Sequence, residues 1–251
     1  MHLDVIDLKT FYYRTKLGRK AKQLLQEAVL RIWDNLSEQE VVGFGFSPPL
    51  IAPFIRSAKN IFCLMPSQQG VISWPQGSNN RTMLVEEFCW PLASSSIDRV
   101  VVSHGLETCD KPDKLLQEIW RVLGPSGRVI FVVPNRVGLW ARSDLTPFGY
   151  GRPYNLRQLE QQLRNNRFLM ESHSGALYSP PSERGYWLRT MRFWEGLGRR
   201  IDARVMAGAI ILEAKKQIYA TPKSGIRDAV SVPLDVIEGF TKPKPKPVSK
   251  V

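Results

Sequence analysis

Gly43-Phe44-Gly45-Phe46-Ser47-Pro48-Pro49 follows a short apolar run, and its two glycines permit a tight turn with close approach to the backbone. Alone, that pattern fits a structural turn as well as a cofactor loop. The prolines narrow the chemistry. A dinucleotide pyrophosphate needs free N–H groups at a helix start, and Pro48 and Pro49 supply none. The third glycine of G-x-G-x-x-G is missing, and the acid expected about 20 residues on for an NAD ribose is replaced by Leu64-Met65-Pro66. A nicotinamide or flavin dinucleotide is therefore disfavoured, whereas a cofactor without a pyrophosphate is not. Histidine as a residue type suits a general base, which makes His104 a candidate; its alternative is a histidine that only hydrogen-bonds within a loop. Cys63, Cys89 and Cys109 are far apart, with no Cys-x-x-Cys and no Cys/His cluster, so neither a disulfide framework nor a structural zinc site is expected.

The elements that must position these residues alternate. Residues 8–33 read as one basic amphipathic helix, with Leu17, Ala21, Leu24, Ala28 and Ile32 at helical spacing. Strand candidates follow at 40–45, 60–65, 82–85, 97–103 and 128–133. The last two are β-branched and almost continuously apolar, as suits parallel strands buried on both faces. Between them, 110–123 reads as a helix capped by Asp110, with Pro112 in its first turn and Gly124-Pro125 ending it. Helices at 155–168 and 186–204 and strands at 171–178 and 208–219 complete the pattern. Strands alternating with helices imply an α/β, doubly wound, mostly parallel sheet whose ligands bind beyond the carboxyl ends of the strands.

The chain has 251 residues, enough for one domain that buries its core without disulfides, and reduced thiols suit a cytoplasmic protein. The division expected is a domain over 1–220 and a basic, mostly disordered Pro/Lys-rich tail over 221–251, where Lys-Pro-Lys-Pro-Lys-Pro (242–247) fits neither helix nor central strand. The formal net charge of +12 points to an anionic partner without choosing among nucleic acid, a membrane surface, an acidic protein and an anionic small substrate. No apolar run approaches the roughly 20 residues that span a bilayer, and Asp4 and Asp7 interrupt any signal-peptide core. A membrane partner is not expected.

Several segments, taken in order over about residues 40–220, resemble class I S-adenosylmethionine-dependent methyltransferases. ValValGlyPheGlyPhe is similar to the family's first glycine loop. Glu86-Glu87-Phe88-Cys89-Trp90-Pro91-Leu92 is similar to its acidic residue and Leu-Pro-Phe-like turn, and IleAspArgValValVal to its fourth strand. The stretch 118–135, GluIleTrpArgValLeuGlyProSerGlyArgValIlePheValValProAsn, carries the most specific likeness. The resemblance implies a Rossmann-like, seven-stranded sheet with an antiparallel last strand, and S-adenosylmethionine as cofactor. It places Gly43, Phe44, Gly45, Phe46, Met65, Pro66, Glu86, Glu87, Ser103 and His104 around that cofactor, with Glu86 on the adenine amino group. Aromatic faces such as Phe44 and Phe46 suit its sulfonium. The second-strand acid that binds the ribose is replaced at Met65-Pro66, with Gln68 or Gln69 as substitutes.

The methyl acceptor is expected near Asn135, Arg136, Trp140, Tyr12 and Tyr13, and His104 is the catalytic candidate. No Asn-Pro-Pro-Tyr motif follows the fourth strand and no Pro-Cys dipeptide exists, which argues against common DNA-modifying classes. A closer resemblance, carried by PheTyrTyrArgThrLysLeuGlyArg (11–19) and ProPheGlyTyrGlyArgProTyr (147–154), is to a bacterial methyltransferase-like subgroup often encoded beside glyoxalase II. It implies a link with a glyoxalase II-like hydrolase and supplies no substrate. Two functions follow: a methyltransferase of unknown acceptor, or a methyltransferase-fold scaffold or regulator that has lost catalysis. RNA methylation ranks last, since no RNA-binding motif is recognisable.

Overall fold

The computed structural model describes residues 3–200 and 206–218. The expected tail lies outside the described residues. Seven strands form one sheet: β1 (Glu40–Gly45), β2 (Asn60–Pro66), β3 (Thr82–Val85), β4 (Ile97–Ser103), β5 (Leu123–Pro134), β6 (Phe168–Ala176) and β7 (Ala209–Lys216). Their spatial order is β3-β2-β1-β4-β5-β7-β6. The first five pair in parallel, while β7 runs antiparallel between β5 and β6. This is the Rossmann-like methyltransferase sheet, as the sequence implied.

Alternate residues of the central strands feed two cores. Val41, Val101, Ile130 and Ile211 point to one side, and Val42, Val100, Val129 and Leu212 to the other. That two-sided burial is why these strands read as unbroken apolar runs. Helices α1 (Val5–Arg14), α2 (Lys16–Ile32), the short α3 (Pro48–Ile51) and α6 (Gly185–Arg200) contribute to the first core; α4 (Pro112–Val122) and α5 (Leu156–Asn165) pack on the second.

Three sequence expectations need correction. The N-terminal helix is two helices, broken at Thr15, which has extended backbone and caps α2 by accepting from the Gly18 N–H. The break survives because Gly18 lies against the Phe11 carbonyl, where a Cβ would collide. Asp110 does not cap α4; its N-cap is Lys111, without a side-chain cap. The strand that closes the sheet's far edge starts at Phe168 rather than 171, because α5 ends at Asn165. No described helix is long and apolar enough to cross a membrane.

Candidate functional site

The strand order reverses between β2-β1 and β1-β4, so the carboxyl ends of β1, β2, β3 and β4 meet at a switch point where open α/β sheets bind ligands. Gly45 ends β1 with φ +73°, and a Cβ there would collide with the Ser103 carbonyl of β4. Glycine is thus required by the close approach of two strand ends. Phe44 turns into one core and stacks on Trp90, with ring centroids 4.9 Å apart. Phe46 turns into the other and stacks on Tyr12 at 5.7 Å. The two rings pin the turn from both sides of the sheet, and both are fully buried. Ser47 receives the Leu50 and Ile51 N–H groups on its carbonyl, opening α3 with the prolines in its first turn.

Beyond β4, His104 adopts φ +51°, a left-handed conformation rare outside glycine. Its carbonyl accepts from Gln69 Nε2 (2.9 Å) and Thr108 Oγ1 (3.3 Å), which hold that geometry. Its ring lies between two buried partners: Nδ1 is 3.1 Å from Glu107 Oε1 and Nε2 is 2.7 Å from the Tyr12 hydroxyl. Burial first, then the Glu107 carboxylate, raise the Tyr12 pKa well above its ordinary value. The phenol is therefore neutral. A pattern that satisfies both contacts has His104 donating from Nδ1 to Glu107 and accepting at Nε2 from Tyr12. A histidine fixed by a carboxylate on one nitrogen can pass a proton at the other. Glu107 Oε2 and Gln69 Oε1 are buried with no hydrogen-bond partner among the described residues. Sequence reasoning named His104 and Tyr12 but gave no role to Glu107, whose spacing of three from His104 was the available signal.

On the far side of the switch point, Glu86 is exposed at the end of β3, and Ser67 Oγ donates to its Oε1 (3.3 Å). Gln68 is also exposed. Glu87 is buried instead, with the Cys109 thiol 3.5 Å from its Oε2; burial and Glu87 push that thiol's pKa up to about 12. Met65 and Pro66 are buried at the end of β2. Glu118 and Arg121 of α4 clasp the loop after β3. Glu118 Oε1 accepts from the Trp90 N–H (2.7 Å), and Arg121 donates to the Leu92 and Trp90 carbonyls.

The expected acceptor residues are dispersed by burial. Asn135 Nδ2 donates to the Ala207 carbonyl, and Trp140 is fully buried with Nε1 donating to the Ser179 carbonyl. Arg136 is exposed and Tyr13 half-buried beneath Lys22. Phe148 packs edge-on against His104, with centroids 5.0 Å apart.

These positions test the fit of S-adenosylmethionine. An exposed carboxylate beside a hydroxyl and an amide suits the adenosine half. At the other half, Phe46, Gln69, Ser103 and His104 are buried, and the Tyr12 hydroxyl of α1 occupies His104 Nε2, so these side chains offer no open face to an amino-acid moiety.

Residues 41–131 match the methyltransferase domain family. The match runs from within β1 to within β5, the strands whose ends build this site. Among solved structures, the chain is similar to an S-adenosylmethionine-dependent methyltransferase of Thermotoga maritima (15% identity, 85% of this chain and 96% of that one, TM-score 0.57). It is similar to a chain from the complex between the Haloferax volcanii Trm112 methyltransferase activator and a methyltransferase (12%, 85% and 99%, TM-score 0.58). It is also similar to the [4+2]-cyclase SpnF (17%, 82% and 85%, TM-score 0.56). At these identities the likeness is one of fold. No curated protein matches the chain significantly.

Proposed function

We propose that this chain is a class I S-adenosylmethionine-dependent methyltransferase of unidentified acceptor. The methyltransferase-domain match carries the reading, because it covers β1, β2, β3 and β4 and the turns between them. The bound cofactor supplies an electrophilic methyl group. In this reading Glu86 accepts from the adenine amino group, Ser67 and Gln68 serve the ribose in place of the missing acid, and the Gly43–Phe46 turn forms the floor. An acceptor O–H or N–H takes the place of the Tyr12 hydroxyl at His104 Nε2, and His104, held by Glu107, receives its proton. Calorimetric titration of the purified protein with S-adenosylmethionine tests this. Saturable binding is expected, and none up to millimolar concentration removes the reading.

A specific observation favours a second reading. Phe44, Phe46, Gln69 and His104 are buried, and that half of the site is filled by the protein's own side chains. A methyltransferase-fold protein that scaffolds or regulates another enzyme needs no open site, and the similar SpnF is a [4+2]-cyclase. On the sequence resemblance alone, the partner proposed is a glyoxalase II-like hydrolase in the cytoplasm. Independent elution of the two purified proteins at micromolar concentration and moderate salt would count against that complex.

A further inference from the structure

Lys16, Arg19, Lys20 and Gln23 of α2 face Leu188 and Arg189 of α6 across a cavity of about 360 Å³. Four of the six lining residues are cations. None of the four forms an ion pair among the described residues. Along this seam, Glu27 of α2 is held by Arg192 of α6 at 2.7 Å. Neither α2 nor α6 has an acid in its first turn to balance the partial positive charge of its start. Residues 219–251 carry six basic and three acidic side chains, and their net charge does not neutralise the cluster.

Four like charges around one concavity make a local positive potential that favours an anion placed among them. We infer that the α2–α6 cavity is a binding site for a phosphate-bearing anion. A multiply charged phosphoester or pyrophosphate group balances this cluster better than a single carboxylate. Arg19 and Arg189 offer planar forks suited to two phosphate oxygens, while Lys16 and Lys20 act as mobile point charges. The volume holds such a group and a small substituent, and half-buried Leu188 gives that substituent an apolar wall. The site lies on the outer side of the helices and is independent of the methyltransferase reading.

The experiment titrates inorganic pyrophosphate into the full chain by calorimetry, and sediments the chain with vesicles of phosphatidylcholine with and without phosphatidylglycerol. Each probe is used on the unmutated protein and on the double variant Lys20→Gln/Arg189→Gln, with circular dichroism to confirm that the variant folds. Pyrophosphate binding weakened at least about tenfold in the variant supports a site for free phosphoesters, the scale expected when charged hydrogen bonds are lost. Binding only to phosphatidylglycerol vesicles, weakened to the same degree, identifies a lipid headgroup as the source. The inference is overturned if neither probe binds, or if the folded variant binds as well as the parent.

Discussion

At the residue scale, the two glutamates of the β3 loop separate cleanly. Glu86 is exposed and Glu87 is buried beside Cys109. A hydrogen bond to a charged group contributes roughly 1.5–3 kcal/mol, or about 10- to 150-fold in affinity. Glu86→Gln is expected to weaken S-adenosylmethionine binding by about that factor, read by calorimetry; an unchanged affinity would remove Glu86 from the site. Tyr12→Phe keeps the stacking on Phe46 but takes the hydroxyl away from buried His104 Nε2. Leaving a buried acceptor unpaired costs about 1–3 kcal/mol. The expected result is a lower denaturant midpoint with an unchanged m-value; an equal midpoint would mean the Tyr12–His104 bond adds nothing to the fold.

At the element scale, α4 organises the loop that carries Glu86. Burial pushes the Glu118 carboxyl up, but Arg121 and the Trp90 N–H together outweigh it, and the net pKa is lowered. Glu118→Ala strands the Trp90 N–H and frees Arg121 from its anchor. The expected loss of about 1–3 kcal/mol corresponds to a melting temperature several degrees lower in a domain of this size. A shift under about one degree would show that the clasp is replaceable. The turn from β6 to α6 behaves oppositely. Glu195 accepts from the Leu177 and Tyr178 N–H groups and holds Leu177 at φ +64°. Its burial outweighs those bonds and raises its pKa. A carboxyl whose pKa is raised by folding stabilises the fold while protonated. That contribution is full below the ordinary carboxylate pKa and is lost as pH rises through the raised value. Glu195→Gln should therefore flatten the fall of melting temperature over this interval, and a parallel fall in both proteins would assign it to other groups.

At the scale of the whole molecule, Lys-Pro-Lys-Pro-Lys-Pro (242–247) offers only lysine and proline side chains to any contact with the domain. Deleting 241–251 is expected to leave the melting temperature nearly unchanged by calorimetric scan, and a large drop would show that this segment packs on the domain.

The strands were legible because a parallel strand covered on both faces must be apolar at nearly every position, as at Val100–Val102 and Val129–Val133. The need for glycine at Gly45 was legible from its place at a strand end, though its cause, contact with Ser103 of another strand, was not. The break at Thr15 escaped the sequence because the apolar periodicity continues through it; the cap on Gly18 and the approach of Gly18 to Phe11 are properties of two helices packed together. The sequence by itself determined the alternating strands and helices and the residue types at the strand ends, while the strand order that makes the switch point came with the tertiary structure. Only the tertiary structure decided which of those residues face water. Burial is set by what packs above a residue: α1 closes over His104 from 92 positions away, while Glu86 is left open at the end of β3.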